Sequence, residues 1–333
     1  MGVPQMADAR PRVWVSQPLF DDIVARLDEH FEVFAEGEAA DHAPEKVAAA
    51  LRDVDGALVT LNDPIDADAI AGATRLRAIA NVAVGYDNLE VSALSRAGIV
   101  VTNTPDVLTE TSADFGFALM MAAARRITEA ERWLRDGRWQ GWTFHTLLGA
   151  DLHGSTLGIL GMGRIGQGIA RRAAGFGMSV LYHNRSRLPD AVERDCRARH
   201  VAFDALLAES DHLVLTLPYS VHNRHIIDAA ALARMKPTAT LTNIARGGLI
   251  DEAALADALA HGRLAAAGLD VFEGEPAVDA RLLALPNVVL TPHIASASLA
   301  TRRAMVALAV DNLIAALGRG PQAGRPPNVV APL

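Results

Sequence analysis

Three side chains of complementary chemistry each follow a strand-like apolar run late in the chain: Arg246 in "ATLTNIARGG", Glu275 in "AAGLDVFEGEP" and His293 in "NVVLTPHIAS". In a parallel sheet every strand ends on the same edge, and ligands bind in the crevice there. A cation, a carboxylate and an imidazole are therefore expected to face one crevice. A guanidinium holds a carboxylate through paired hydrogen bonds and polarises a neighbouring oxo group. An imidazolium delivers a proton to the oxygen, and a carboxylate on its other ring nitrogen fixes the tautomer and favours the charged ring. Reduction of a 2-oxo acid needs these groups plus a hydride, and it needs no metal. Singly, each residue has a plainer role: Arg246 in a surface ion pair, Glu275 at a turn before Pro276, His293 as a satisfied buried histidine. The set has weight because of what precedes it in the chain.

The hydride source is read from "LGILGMGRIGQGIARRAAGFGMSVLYHNRSR", residues 157–187. Gly161, Gly163 and Gly166 follow an apolar strand and open a helix, the context in which a glycine turn receives a dinucleotide pyrophosphate on helix N–H groups. About twenty residues further on, such turns place a carboxylate that holds the ribose 2′-hydroxyl. Here Asn184, Arg185, Ser186 and Arg187 stand instead. Neutral and cationic donors at that slot suit a 2′-phosphate, so NADP(H) is expected, with NAD(H) the weaker alternative. The plainer reading makes these arginines solvated loop charges.

These residues need a scaffold that alternates strand and helix. From residue 13 to about 104, "VWVS", "FEVFA", "GALVTL", "LRAIANVAVG" and "GIVVTNT" read as strands, with helical segments between them. A second series begins near 155 with "TLGILG", "SVLYHN", "HLVLTLP", "ATLTNIA", "AAGLDVF" and "NVVLTPH". Alternation of this kind means parallel crossovers and an α/β layered fold. The stretch 110–136 reads as one long helix joining the two series, suited to a core or oligomer contact. A last helix after His293 returns the chain to the first module, and the tail "GPQAGRPPNVVAPL" is expected to be loosely ordered. Asp87 reads as a helix N-cap.

Bulk properties narrow the function. A net charge of −8 argues against general nucleic-acid binding, which depends on Lys and Arg neutralising phosphates. No apolar run reaches the roughly 18 residues needed to span a bilayer, and "MGVPQMADARPRVWV" lacks the marks of a signal peptide. A cytoplasmic location is expected. The single cysteine, Cys196, rules out an intrachain disulfide and reads as a passive thiol. Among the other histidines, His42, His200 and His261 are expected in solvent, while His145, His183, His212, His222 and His225 stay open.

With these motifs in hand, the chain resembles the D-isomer-specific 2-hydroxyacid dehydrogenases. The likeness runs over nearly the whole length, through "NVAVGYDN", "TPDVLTETSAD", "LGILGMGRIG", "NIARGGLIDEAAL", "AAGLDVFEGEP" and "TPHIASAS". Within that family it is similar to the glyoxylate/hydroxypyruvate and 2-ketogluconate reductases, whose cofactor is usually NADPH. The resemblance implies a catalytic triad of Arg246, Glu275 and His293. It implies dinucleotide contacts at Thr109, Gly161, Gly163, Arg164, Ile165, Gly166, Asn184, Arg185, Ser186 and Asp270, with Pro218 and Ile244 also at the cofactor. Val84 and Gly85 would lend backbone N–H groups to the substrate carboxylate, Leu61 would line the pocket, and Trp142 would reach a partner subunit's site in a homodimer. For Trp139 packing is the expectation. Ala295 stands where the family commonly has glycine, a departure expected to tighten the loop beside His293.

The implied architecture is two doubly wound parallel-sheet domains. A flavodoxin-like substrate domain spans 1–107 and 294–333, and a Rossmann cofactor domain spans 108–293. The implied activity is reduction of glyoxylate, hydroxypyruvate or 2-keto-D-gluconate to D-2-hydroxy acids. Two other readings remain: an NAD-dependent dehydrogenase such as phosphoglycerate dehydrogenase, or a dinucleotide-sensing binding protein without catalysis. Formate dehydrogenase is disfavoured, since its site usually has glutamine where Glu275 stands.

Overall fold

The computed structural model describes residues 10–37 and 41–331. The chain divides into two compact units: residues up to Leu108 together with those from Ser298 on, and Thr109–Ala297. The first carries five parallel strands, β1 (Arg12–Val15), β2 (Glu32–Ala35), β3 (Gly56–Val59), β4 (Ala78–Asn81) and β5 (Val100–Thr102), in the order β2-β1-β3-β4-β5. That is the flavodoxin-like doubly wound order. Strands β3 and β4 are buried along their whole length, which is why they read as continuous apolar runs rather than alternating ones. The closing helix, Leu299–Ala316, belongs to this unit. Gly56 makes room for it: a Cβ there would lie 2.8 Å from a Leu317 methyl.

Two expectations are corrected in this unit. The tail is not loose within the described residues. Val329 bridges Thr102 in antiparallel fashion, the Val330 N–H donates to Val101 O at 2.8 Å, and buried Asn312 bonds Asn328. Backbone pairing to the exposed edge of β5 orders a segment that its proline content had suggested was free. Nor is Asp87 a helix cap: it lies in a turn, and the helix that follows starts at Val91 with Glu90 in the cap position.

The second unit holds seven parallel strands: β6 (Thr156–Leu160), β7 (Ser179–His183), β8 (Ala198–His200), β9 (His212–Leu215), β10 (Thr240–Asn243), β11 (Ala266–Leu269) and β12 (Val288–Leu290). Their order, β12-β11-β10-β9-β6-β7-β8, reverses between β6 and β9. That is the switch point at which ligands bind in such sheets. The expected pair of doubly wound parallel sheets is thus observed. Strand β8 escaped the sequence reading because "ARH" is short, edge-placed and polar, and only its pairing with β7 identifies it.

The stretch 110–136 is two helices, Thr109–Ala124 and Ile127–Arg135, not one. Arg126 breaks it in the left-handed region at φ 55°, and its guanidinium folds onto both carboxylate oxygens of Glu129 and onto Leu148 O. The Ala150 N–H then donates to Ala124 O at 2.9 Å. The first helix is buried on one side, and its Gly116 admits the Ile244 side chain to close contact. Residues 294–297 stay with the second unit because the Ile294 and Ala295 N–H groups are tied to Asp270.

Candidate active site

At the carboxyl edge of the second sheet the chain leaves β6 through Gly161, whose φ of 95° is left-handed territory. A Cβ here would sit 2.4 Å from Leu217 N, against backbone that has no freedom to move aside. Gly163 holds the cap position of the helix Arg164–Ala174 with no side chain capping it, and a Cβ there would meet nothing within 4 Å. A helix start with uncapped N–H groups and open space before it fits a pyrophosphate. Gly166 packs tightly on Gly161 O and Thr216, whose hydroxyl also bonds Gly161 O. The turn is therefore built as a cradle for an anion, and the dinucleotide implied by the fold fits the residues present.

The segment after β7 is pinned at both ends. Asn184 Oδ1 accepts the Met162 N–H at 2.7 Å, tying this loop to the glycine turn. Leu188 N–H donates to the Tyr182 hydroxyl at 2.8 Å, and that hydroxyl donates to Glu193 Oε1. Arg187 grips Glu193 through two bonds of 2.9 and 2.6 Å. The Arg187 guanidinium, and then the Tyr182 hydroxyl, hold the Glu193 carboxyl down to about 2. Arg185 and Ser186, between these anchors, are exposed. Of the four residues expected at the acid slot, Asn184 is thus occupied with the turn and Arg187 with Glu193.

The three candidate catalytic side chains lie in this same unit. His293 Nδ1 is 2.9 Å from Glu275 Oε2, and Glu275 Oε1 accepts the Phe272 N–H at 2.9 Å. An ionised carboxylate only accepts, so the Nδ1 proton points to Glu275 and Nε2 is left for chemistry. Burial pushes the Glu275 carboxyl up, but the His293 and Phe272 hydrogen bonds and the charges of His293 and Arg246 outweigh it and leave it below its ordinary range. His293 itself is left-handed, at φ 52°. Such a conformation in a non-glycine residue persists only where its surroundings impose it. Here the imposition is visible: the His293 N–H donates to Asp270 O at 2.8 Å.

Asp270 has more than the implied cofactor role. Its side chain is fully buried and accepts from Thr291 Oγ1 at 2.7 Å, Ile294 N–H at 2.9 Å and Ala295 N–H at 2.8 Å. Burial raises its carboxyl despite these donors. The residue clamps the loop that carries His293, a job no sequence motif announced. The Ala295 methyl is itself buried in the core of this unit.

Arg246 follows β10, and its backbone carbonyl is fixed by Asn243 Nδ2 at 2.8 Å while its Nη1 donates to Ala245 O. Gly247 must be glycine, because a Cβ there would fall 1.9 Å from the Phe272 carbonyl carbon. The loops bearing Arg246 and Glu275 are thus in contact. The second is further held by Glu252, which accepts the Glu273 N–H at 2.7 Å, and by Arg224 and His225 on Glu273. Glu252, Glu273 and His225 carried no recognisable signal, since their link exists only across two separate loops and the first turn of the helix Glu252–Ala260.

In the first unit, Leu61, Val84 and Gly85 follow β3 and β4. Thr104 N–H bonds Ala83 O and Asn103 Nδ2 bonds Val84 O, each at 2.9 Å. These bonds fix the two peptide planes that carry the Val84 and Gly85 N–H groups. His42, expected in solvent, is instead 2.7 Å from buried Asp63, which also accepts from Ser16 Oγ. Of the other expected residues, Thr109 opens its helix, Ile244 is buried against Gly116, and Pro218 is exposed beside Asn223.

The remaining histidines have structural partners or none that do chemistry. His200, also expected in solvent, stacks on His183 and lies 3.3 Å from Asn184 O. His212 is a satisfied core histidine between Thr240 and Asp151, and its burial lowers its basicity. Cys196 is buried, which pushes its thiol up and makes it the passive group expected. Trp139, for which packing was expected, is exposed in the single chain, and Trp142 is 72 % exposed with Phe144 against its ring. Among the described residues no group of His, Cys, Asp and Glu could hold a metal ion, and no helix is long and apolar enough to cross a membrane.

Comparison with known proteins agrees with this geometry. Residues 117–295 match the family described as "D-isomer specific 2-hydroxyacid dehydrogenase, NAD binding domain". The chain is 46% identical over 323 residues to a glyoxylate reductase of Korarchaeum cryptofilum, covering 96% of both chains. It is 47% identical over 310 residues to a glyoxylate/hydroxypyruvate reductase B of Pectobacterium atrosepticum, covering 92% of this chain and 95% of that one. Among solved structures it is similar to an NADPH-dependent glyoxylate/hydroxypyruvate reductase from Sinorhizobium meliloti in complex with NADP and malonate, with a TM-score of 0.85, 38% identity and 97% coverage of each chain. With the glycine turn and the Glu275–His293 pair both in the unit so matched, the chain belongs to the D-isomer-specific 2-hydroxyacid dehydrogenases, a family of NAD(P)-dependent oxidoreductases.

Proposed function

We propose that the protein is an NADPH-dependent reductase of small 2-oxo acids, acting on glyoxylate and hydroxypyruvate and, through their shared 2-oxo carboxylate, on 2-keto-D-gluconate, to give D-2-hydroxy acids. The observation that carries the reading is His293 Nδ1 at 2.9 Å from Glu275 Oε2, in the unit that also bears Arg246 and the glycine turn. When bound, the dinucleotide supplies a hydride to the carbonyl carbon. The rest falls to the chain. Arg246 holds the substrate carboxylate and draws charge toward the oxo oxygen. His293 gives its Nε2 proton to that oxygen as it becomes an alkoxide. Glu275 keeps the ring oriented, with Nε2 left to face the substrate. The Val84 and Gly85 N–H groups are read as further donors to the carboxylate, and Leu61 and Trp142 as contacts to the substrate tail.

Support for NADPH over NADH comes from Arg185 and Ser186, exposed where a ribose-binding acid would otherwise stand, and from the NADPH-dependent relative of S. meliloti. Gly161, Gly163, Arg164, Ile165 and Gly166 would hold the pyrophosphate, with Thr109, Asn184, Pro218, Ile244 and Asp270 read as further cofactor contacts. Initial rates with purified protein, NADPH and NADH in parallel against glyoxylate, hydroxypyruvate, pyruvate and 2-ketogluconate, test the reading. A strong NADPH preference with reduction of at least one acid is expected. An NADH preference would favour an NAD-dependent dehydrogenase, and no turnover with either would leave a dinucleotide-sensing protein.

The exposed apolar residues Ile127, Leu134, Trp139, Trp142, Phe144 and Leu148 lie close together in sequence. So much uncovered aromatic and aliphatic surface favours a protein partner. We read that partner as a second copy, giving a homodimer with the chain in the cytoplasm. Sedimentation equilibrium should give twice the chain mass of 35.3 kDa, and a monomer at micromolar concentration would remove the assignment. Cell fractionation tests the location.

A further inference from the structure

The loop between β7 and the helix Asp190–Cys196 contains two arginines two residues apart, and the structure treats them differently. Arg185 is exposed and projects from the segment between the Asn184 and Leu188 anchors. Arg187 turns back and spends its fork on Glu193, whose side chain is only 10% exposed and whose Oε1 also receives the Tyr182 hydroxyl. Tyr182 is fully buried, so its hydroxyl is a fixed point on which Leu188 N–H and Glu193 both close. Arg187 is itself 61% exposed, so what separates it from Arg185 is its bidentate pairing with a carboxylate that a third, buried partner also holds.

We infer that Arg187, Glu193 and Tyr182 form a clamp that selects NADPH from behind: they hold residues 184–188 so that Arg185 and Ser186 face the 2′-phosphate, and Arg187 is a positioning residue rather than a phosphate ligand. This rests on the NADPH reading above. The two roles for Arg187 predict opposite signs on removing Glu193. If Arg187 bound phosphate, freeing it from Glu193 would add a cation to the site and tighten NADPH. As a clamp, losing either partner loosens the loop and weakens NADPH, while NADH, which has no 2′-phosphate, is little affected.

The experiment measures KM for NADPH and NADH and kcat at saturating 2-oxo acid for the wild type and for Arg185→Ala, Arg187→Ala, Glu193→Gln, Tyr182→Phe and the double variant Arg187→Ala/Glu193→Gln. Expected is a rise of about five- to tenfold in KM for NADPH in each clamp variant, with KM for NADH and kcat within about twofold. The double variant should be no worse than either single one, because both remove the same interaction. A lower KM for NADPH in Glu193→Gln with a higher one in Arg187→Ala would overturn the inference and make Arg187 a ligand. Equal shifts for both cofactors would also overturn it, reducing the pair to a stability element, while a large NADPH-selective effect of Arg185→Ala left the cofactor reading intact. A wild type without NADPH preference, insensitive to Arg185→Ala, would remove both.

Discussion

Replacing His293 by alanine is expected to lower kcat for 2-oxo acid reduction by roughly 10³-fold, with KM for the dinucleotide changed by less than about twofold, because general acid catalysis contributes on the order of 10²–10⁴. The reasoning runs through one nitrogen. Glu275 takes the Nδ1 side of the ring at 2.9 Å, so on the proposed reading Nε2 is the atom that delivers the proton, and alanine would leave only water to do so. On the acid side the pair is robust. With the Glu275 carboxyl below its ordinary range, the carboxylate persists as pH falls through that range, and its contribution is lost only as pH drops through the depressed value. Steady-state rates across pH for both proteins check this; an unchanged kcat in the variant would take His293 out of the chemistry.

Arg246→Ala is the second large effect, with kcat/KM for glyoxylate expected to fall about 10³-fold, or about 4 kcal/mol of transition-state stabilisation. Both halves of the constant should move. On the proposed reading the guanidinium fixes the substrate carboxylate, which sets KM, and polarises the oxo group, which sets kcat. Arg246→Lys should recover only part, since an ammonium supplies charge without the paired donors of the fork. The loss should extend to Glu275, whose depressed carboxyl owes part of its shift to the Arg246 charge. Single-turnover and steady-state kinetics on the three proteins separate the two components. A variant with raised KM and full kcat would confine Arg246 to binding.

Much of this was legible in the residues themselves. Strand and helix alternation is a matter of local period, and strands such as β3 and β4 are buried at every position and read as largely apolar runs because both faces are covered, so both sheets could be read from sequence. The glycine turn was legible because only glycine tolerates a φ of 95° with Leu217 N so near. Arg246 and His293 could be placed together, with Glu275, because parallel strands all end on one edge.

What only the tertiary structure decided is how polar groups were shared out. Arg126 splits an unbroken helical pattern by pairing with Glu129, against local propensity. Asp270 and Glu252 hold the site's loops by accepting from backbone N–H groups 21 to 25 residues away in sequence, where no periodicity reaches. Arg185 and Arg187 are the same residue type two positions apart, and nothing local distinguishes them. The sequence determined which donors and acceptors exist and on which edge they gather. A hydrogen bond, being satisfied by whichever partner the fold brings within about 3 Å, is assigned only when the chain has closed.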